Sequence, residues 1–176
     1  MNIAYLIPGV GLTDAEHKRR QQLLQQAGGD SVTVSLLAVD EGPAAIESAE
    51  DEIAAVGPTL KLAQAHESKF DAFIIGCFGD VGIDTLRHNI DIPIIGPARV
   101  TYAMAAAVFS TFGILSLNSG FIDEEREITR KLGILNQVAE IRALDLPVDN
   151  SLALAFRSGI HLQSDATNRQ IGICIQ

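Results

Sequence analysis

The segment Asp71-Ala72-Phe73-Ile74-Ile75-Gly76-Cys77-Phe78-Gly79-Asp80-Val81-Gly82 limits what this chain can fold into more than any other. Phe73-Ile74-Ile75 is continuously apolar, the pattern of a strand covered on both faces, as in a parallel sheet between helices. Such strands open at their carboxyl ends into ligand clefts. Here the strand delivers a thiol to that end, inside a loop punctuated by Gly76, Gly79 and Gly82, where the backbone can turn tightly and approach a ligand. Amide groups beside a helix start favour an anion and lower the pKa of a thiol. A small buried cysteine in an ordinary strand-to-helix turn is the other reading of the same residues.

The rest of the first hundred residues alternates strand and helix. Ile3 to Ile7 reads as a first strand, ending in the loop Pro8-Gly9-Val10-Gly11. Thr13 and Glu16 form a capping-box pattern that starts a helix, and Gly28-Gly29 stops it. Val32 to Leu37 has the branched, alternating look of a second strand. Asp40 to Pro43 is a loop, Ser48 with Asp51 marks the next helix start, and Gly57-Pro58 is expected to kink or split that helix. After the cysteine strand come a short helix at Ile83 to Arg87, a fourth strand at Ile92 to Gly96 and an alanine-rich helix from Ala98 to Phe109, expected to be well buried. A second cycle begins at Thr111. Phe112 to Leu117 reads as a strand, Asn118-Ser119-Gly120 as its loop, and Asp123-Glu124-Glu125 as acids in a helix's first turn, where the macrodipole favours them. Gly120-Phe121-Ile122-Asp123 stands after this strand as Gly11-Leu12-Thr13-Asp14 stands after the first. Val138 to Leu144 would be another strand, Asn150 would cap a helix running through Phe156, and Ile171 to Cys174 would be a last strand.

Composition narrows the function classes. With 176 residues and 47% hydrophobic content, the chain can bury a full core as one domain or as two small lobes. A net charge of −9 without any Lys/Arg cluster argues against a nucleic-acid surface. No apolar run reaches the length of a membrane span, and Pro8-Gly9 follows the first strand too soon for a signal peptide. Two cysteines make no disulfide framework, which points to a reducing cytoplasm. The four histidines, His17, His66, His88 and His161, have no metal-ligand spacing, so no metal is expected.

Gly76-Cys77-Phe78-Gly79-Asp80-Val81-Gly82, then Leu86-Arg87 and Asp91-Ile92-Pro93-Ile94-Ile95-Gly96, resembles the first-cysteine region of the aspartate/glutamate/hydantoin racemase superfamily, nearest its hydantoin and allantoin racemases. Gly42-Pro43-Ala44-Ala45-Ile46-Glu47-Ser48 is similar to a second stretch of that family, and the resemblance covers roughly residues 1 to 117. It implies an α/β fold of two similar lobes, each a parallel sheet flanked by helices, with a cleft between them. The lobes would be residues 1–110 and 111–176, the second incomplete. It also implies cofactor-independent racemisation of a hydantoin-like or amino-acid-like carbon acid, a small-molecule substrate, in which one cysteine thiolate removes a proton and a second cysteine returns one. Cys77 and Cys174 would be that pair. Pro8, Gly9, Phe78, Gly79, Asp80, Ser116 and Asn118 would contact the substrate.

This chain departs from the family at several points. The usual Asp-Pro-Gly is Asp80-Val81-Gly82, Pro8-Gly9 lacks a following asparagine, Pro97-Ala98 replaces an acidic turn, and only Ile175-Gln176 follow Cys174 where relatives have a small-residue loop. An edge strand with an incidental thiol is thus an open alternative for Cys174. Asp80 can orient its loop by bonding backbone amides or contact a substrate amide. An inactive or ligand-binding member, and a cysteine-dependent isomerase or decarboxylase of dicarboxylates, are the other functions on such a scaffold. The apolar surface of an incomplete lobe would favour a homo-oligomer.

Overall fold

A computed structural model describes residues 1–116, 119–144 and 172–175, the last four by backbone only. The helix expected from Asn150 lies outside the described residues. The chain divides into two compact units, Met1–Ala98 and Arg99–Gln176.

The first unit is built on four parallel strands in the order β2-β1-β3-β4: β1 (Asn2–Ile7), β2 (Thr33–Ala38), β3 (Ala72–Ile75) and β4 (Ile94–Ile95). Parallel pairing requires crossovers, and these are α1 (Asp14–Gly28), α2 (Ala49–His66) and α3 (Ile83–Asn89). The two inner strands carry the core: Ala4, Leu6, Phe73 and Ile75 are fully buried and cluster with Ala55 and Ala63 of α2 and Leu86 of α3. The continuous apolar character of Phe73 to Ile75 thus has the cause read from it, a sheet flanked by helices. The fourth strand shrinks to Ile94–Ile95, at the edge of the sheet.

Local signals start the helices where expected. The Thr13 side chain accepts the Glu16 amide at 3.3 Å, and Gly29, at φ 61°, closes α1 in a conformation open to glycine. Ser48 caps α2 by accepting the Asp51 amide at 3.2 Å, while Asp51 accepts the Ser48 hydroxyl at 2.8 Å. The expected break at Gly57-Pro58 is absent: α2 runs unbroken from Ala49 to His66 with Pro58 inside. Proline withdraws the hydrogen bond to the carbonyl of Ala54, but Ala54 is exposed, so water can satisfy that oxygen. One residue on, the Thr59 hydroxyl donates to the Ala55 carbonyl at 2.7 Å on the buried face.

The second unit has a parallel sheet in the order β6-β5-β7, from β5 (Phe112–Ser116), β6 (Val138–Ala143) and β7 (Gly172–Ile175). Its first strand lies central, its second on one side and its third on the other, as β1, β2 and β3 do in the first unit. Helix α4 (Pro97–Val108) begins across the division between units, and α5 (Ile122–Lys131) follows β5. The alanine-rich α4 is buried along one face only. Ala98, Tyr102 and Ala105 face inward at helical spacing, whereas Val100, Met104 and Val108 are 44%, 63% and 67% exposed. Short side chains made the segment look uniformly apolar, but a helix packed on one side buries only one stripe.

On α1, Glu16 receives Arg19 at 2.7 Å and Arg20 at 2.8 Å, which draws its carboxyl from the ordinary 4.5 down to about 2. A depressed carboxylate stabilises the fold above its unfolded pKa and loses that contribution as pH falls through the folded one. The group sits at the surface, where such pairs contribute only about 0.3–0.5 kcal/mol each. Glu16→Gln should therefore cost less than ~1 kcal/mol at pH 7, and the gap from the parent should close as pH falls from 4.5 toward 2. Urea denaturation across that range measures both; a gap that persists at pH 2 would refute the assignment.

Candidate functional site

In a parallel sheet all carboxyl ends lie along one edge, so the loops after β1, β2, β3 and β4 gather there. The loop after β1 is latched to the loop after β2: the Val10 amide donates to the Pro43 carbonyl at 2.9 Å and the Gly11 amide to the Ala44 carbonyl at 3.0 Å. This contact explains the first loop's glycines, because a Cβ at Gly11 would lie 2.3 Å from the Ala44 oxygen. Pro8 and Gly9 are buried beneath the latch.

β3 runs equally close to β1 at its end. The Gly76 amide donates to the Leu6 carbonyl at 2.6 Å, and a Cβ at residue 76 would meet that oxygen at 2.6 Å and the Tyr5 ring at 2.7 Å. Only glycine passes through that gap, and Cys77 is the first residue beyond it. Cys77 is in no disulfide and is half-buried, packed against the core. Tyr5, on β1, shares its electrostatic environment. Burial holds the Tyr5 hydroxyl above the usual phenol range, the Arg20 guanidinium pulls it down, and the Cys77 thiolate pushes it up.

Past the thiol, the chain turns through Phe78 and Gly79, both half-buried, to Asp80. Asp80 is 3% exposed and is the only non-glycine residue at positive φ among the described residues, at 56°. Its amide donates to the Cys77 carbonyl at 3.1 Å, and its carbonyl accepts the Ile83 amide at 3.0 Å. Its carboxylate Oδ1 accepts the Ala98 amide at 2.9 Å, in the first turn of α4. The other oxygen lies over Gly96, where a Cβ would come within 2.3 Å of it. Of the two roles open to Asp80 in the sequence, the observed bonds are those of a residue orienting its loop. The sequence shows an aspartate in a turn; it does not show that the acceptor's partner stands 18 residues downstream.

Ser116 is the last residue of β5, fully buried, and its carbonyl accepts the Leu144 amide at 2.9 Å. Asn118 lies outside the described residues. Cys174 falls within β7, opposite Ile114, one residue before the strand ends. Cys77 instead stands two residues beyond the end of β3, so the two cysteines do not take equivalent places on their strands. The second unit also holds a polar pair that the sequence did not single out: the Tyr102 hydroxyl donates to the carboxylate of Glu125, and both residues are buried. Glu125 does stand in the first turn of α5, as the sequence suggested, and it is buried there. Among the described residues no group of three or more His, Cys, Asp or Glu side chains could hold a metal ion, and no helix is long and apolar enough to cross a membrane.

A parallel α/β unit with a thiol at the carboxyl edge of an inner strand defines a class of folds rather than one protein. The model of the Asp/Glu/Hydantoin racemase family matches residues 13–167, and the chain belongs to that family. It is similar to the hydantoin racemase of Paenarthrobacter aurescens, 31% identical over 126 residues that make up 70% of this chain and 53% of the relative. The hydantoin racemase of Pseudomonas sp. (strain NS671) is 28% identical over 108 residues, 61% of this chain and 43% of the relative. The chain thus spans about half the length of the curated relatives it matches. Among solved structures, the allantoin racemase from Klebsiella pneumoniae superposes with a TM-score of 0.76 at 24% identity, covering 88% of this chain and 65% of that one, a likeness of fold.

The contact between Asp80 and Gly96 can be tested directly. Gly96→Ala should displace a buried carboxylate and cost about 1–3 kcal/mol, as overpacking does. Thermal and urea denaturation give the value; a neutral substitution would show that the carboxylate moves aside freely.

Proposed function

We propose that this chain carries the first catalytic half-site of a cofactor-independent racemase acting on a hydantoin-like or amino-acid-like carbon acid, with Cys77 as its acid/base thiol. The observation that carries the reading is the placement of Cys77: a half-buried thiol just past an inner strand, in a turn whose entry is too narrow for any side chain at residue 76.

The chemistry follows from that placement. The Cys77 thiolate takes the proton from a carbon next to a carbonyl, and the electron pair moves onto the carbonyl oxygen as an enolate. That charge has to be met by donors already in position. The loop that follows Cys77 supplies the donors we assign to the substrate on this side, the backbone amides of Phe78 and Gly79. Pro8, Gly9, Ser116 and Asn118 are the further residues we propose for substrate contact. Proton return to the opposite face completes inversion and requires a second acid. Cys174 is the cysteine available for it, and its position inside β7 makes Cys77 the better supported of the two.

Exchange of the Cα proton with solvent requires only one base. Proton NMR in deuterium oxide with 5-substituted hydantoins, and separately with aspartate and glutamate, should show exchange by the parent chain and a loss of at least about 100-fold in Cys77→Ala, the scale of a removed general base. Polarimetry on Cys174→Ala should show inversion falling further than exchange. Exchange that survives in Cys77→Ala would defeat the assignment, and a chain that binds these compounds without exchanging them would be a ligand-binding member of the family.

A further inference from the structure

Asp80 is bonded through every part of its structure to a different segment. Its amide closes the turn on Cys77, its carbonyl receives Ile83 at the start of α3, and its carboxylate receives Ala98 at the start of α4. It does so at φ 56°, a left-handed conformation that costs most residues energy and that aspartate tolerates better than most. Only 3% of its surface is exposed, and Gly96 is bare of a side chain where the carboxylate lies.

We propose that Asp80 is the positioning residue of Cys77. By holding the left-handed turn that starts at the Cys77 carbonyl, the carboxylate ties the aim of the thiol to the first turn of α4, and so to the register of β4, which leads into that helix. A helix cap alone would need neither the left-handed backbone nor the bond back to Cys77. The inference rests on the reading of Cys77 as the reactive thiol, but its consequence for that thiol can be measured without any racemase substrate.

The test is the rate of Cys77 alkylation by iodoacetamide at pH 7, followed by peptide-resolved mass spectrometry so that Cys174 is counted separately. Asp80→Asn keeps an acceptor oxygen for Ala98 and a residue type that tolerates positive φ. Asp80→Ala keeps neither. Ser48→Ala removes a helix cap of α2 that makes no bond with Asp80 and controls for general destabilisation. All rates are taken well below the melting temperature of each variant, established by circular dichroism.

We expect Asp80→Ala to slow Cys77 alkylation about tenfold, because a displaced thiol leaves the loop amides that favour its thiolate. Asp80→Asn should stay within about threefold of the parent, and Ser48→Ala should melt lower with an unchanged rate. A folded Asp80→Ala protein that alkylates at the parent rate would overturn the proposal and leave Asp80 as a cap alone. Asp80→Asn as slow as Asp80→Ala would overturn it too, by making the charge and not the bonding geometry the cause. If these rates behave as expected while no Cα exchange is detected, the racemase reading fails and the positioning role stands.

Discussion

The close passage of β3 beside β1 is the constraint on which the candidate site depends. At Gly76 the two backbones are joined by a 2.6 Å hydrogen bond, with the Tyr5 ring and the Leu6 carbonyl occupying the space of a side chain. Helices from the crossovers cover β3, and the chain turns into its loop only past the strand's end. Cys77 therefore emerges with one flank on the core and the other on the loop, half-buried rather than sealed or fully solvated. A thiol that performs proton transfer needs both conditions: a fixed position and access.

Around that point the first unit uses glycine and backbone bonds where a larger protein could use side-chain networks. Gly11, Gly76 and Gly96 each accept a neighbouring oxygen within 2.6 Å of where a Cβ would stand. Three loops at the carboxyl edge are thereby drawn together, at the entropic cost that glycine carries in the unfolded chain. The second unit also joins helices through buried polar side chains. Its Tyr102 and Glu125 are joined by a hydrogen bond on the buried face of their helices. A carboxylate out of water is costly unless bonded, so this pair ties α4 to α5.

The two units share a strand order, with the first strand between the second and third. That repeat accords with the family to which the chain belongs. It does not extend to the thiols: Cys77 lies beyond its strand and Cys174 within one. Equivalent topology thus leaves the chemistry of the two strand ends to be established separately, and the proposed proton transfer is correspondingly centred on Cys77.

The alternation of elements, both ends of α1, the start of α2, the buried cysteine strand and the loop that follows it were all legible in the sequence. They depend on signals local to a few residues: apolar runs, a side-chain oxygen three residues before an amide, a glycine at positive φ. The sequence misjudged Pro58 and α4, whose outcomes turn on which side of a helix meets the core, it did not show that Glu125 is buried, and it left open what Asp80 does. Burial direction is a property of packing, and the partner of a carboxylate such as Asp80 is set by whichever amide the fold brings to it. The local pattern by itself determined that a thiol would stand at the end of a buried strand. Only the tertiary structure decided that the turn holding it would be tied to the first turn of α4, because Ala98 reaches Asp80 through the pairing of β3 with β4 and not along the chain.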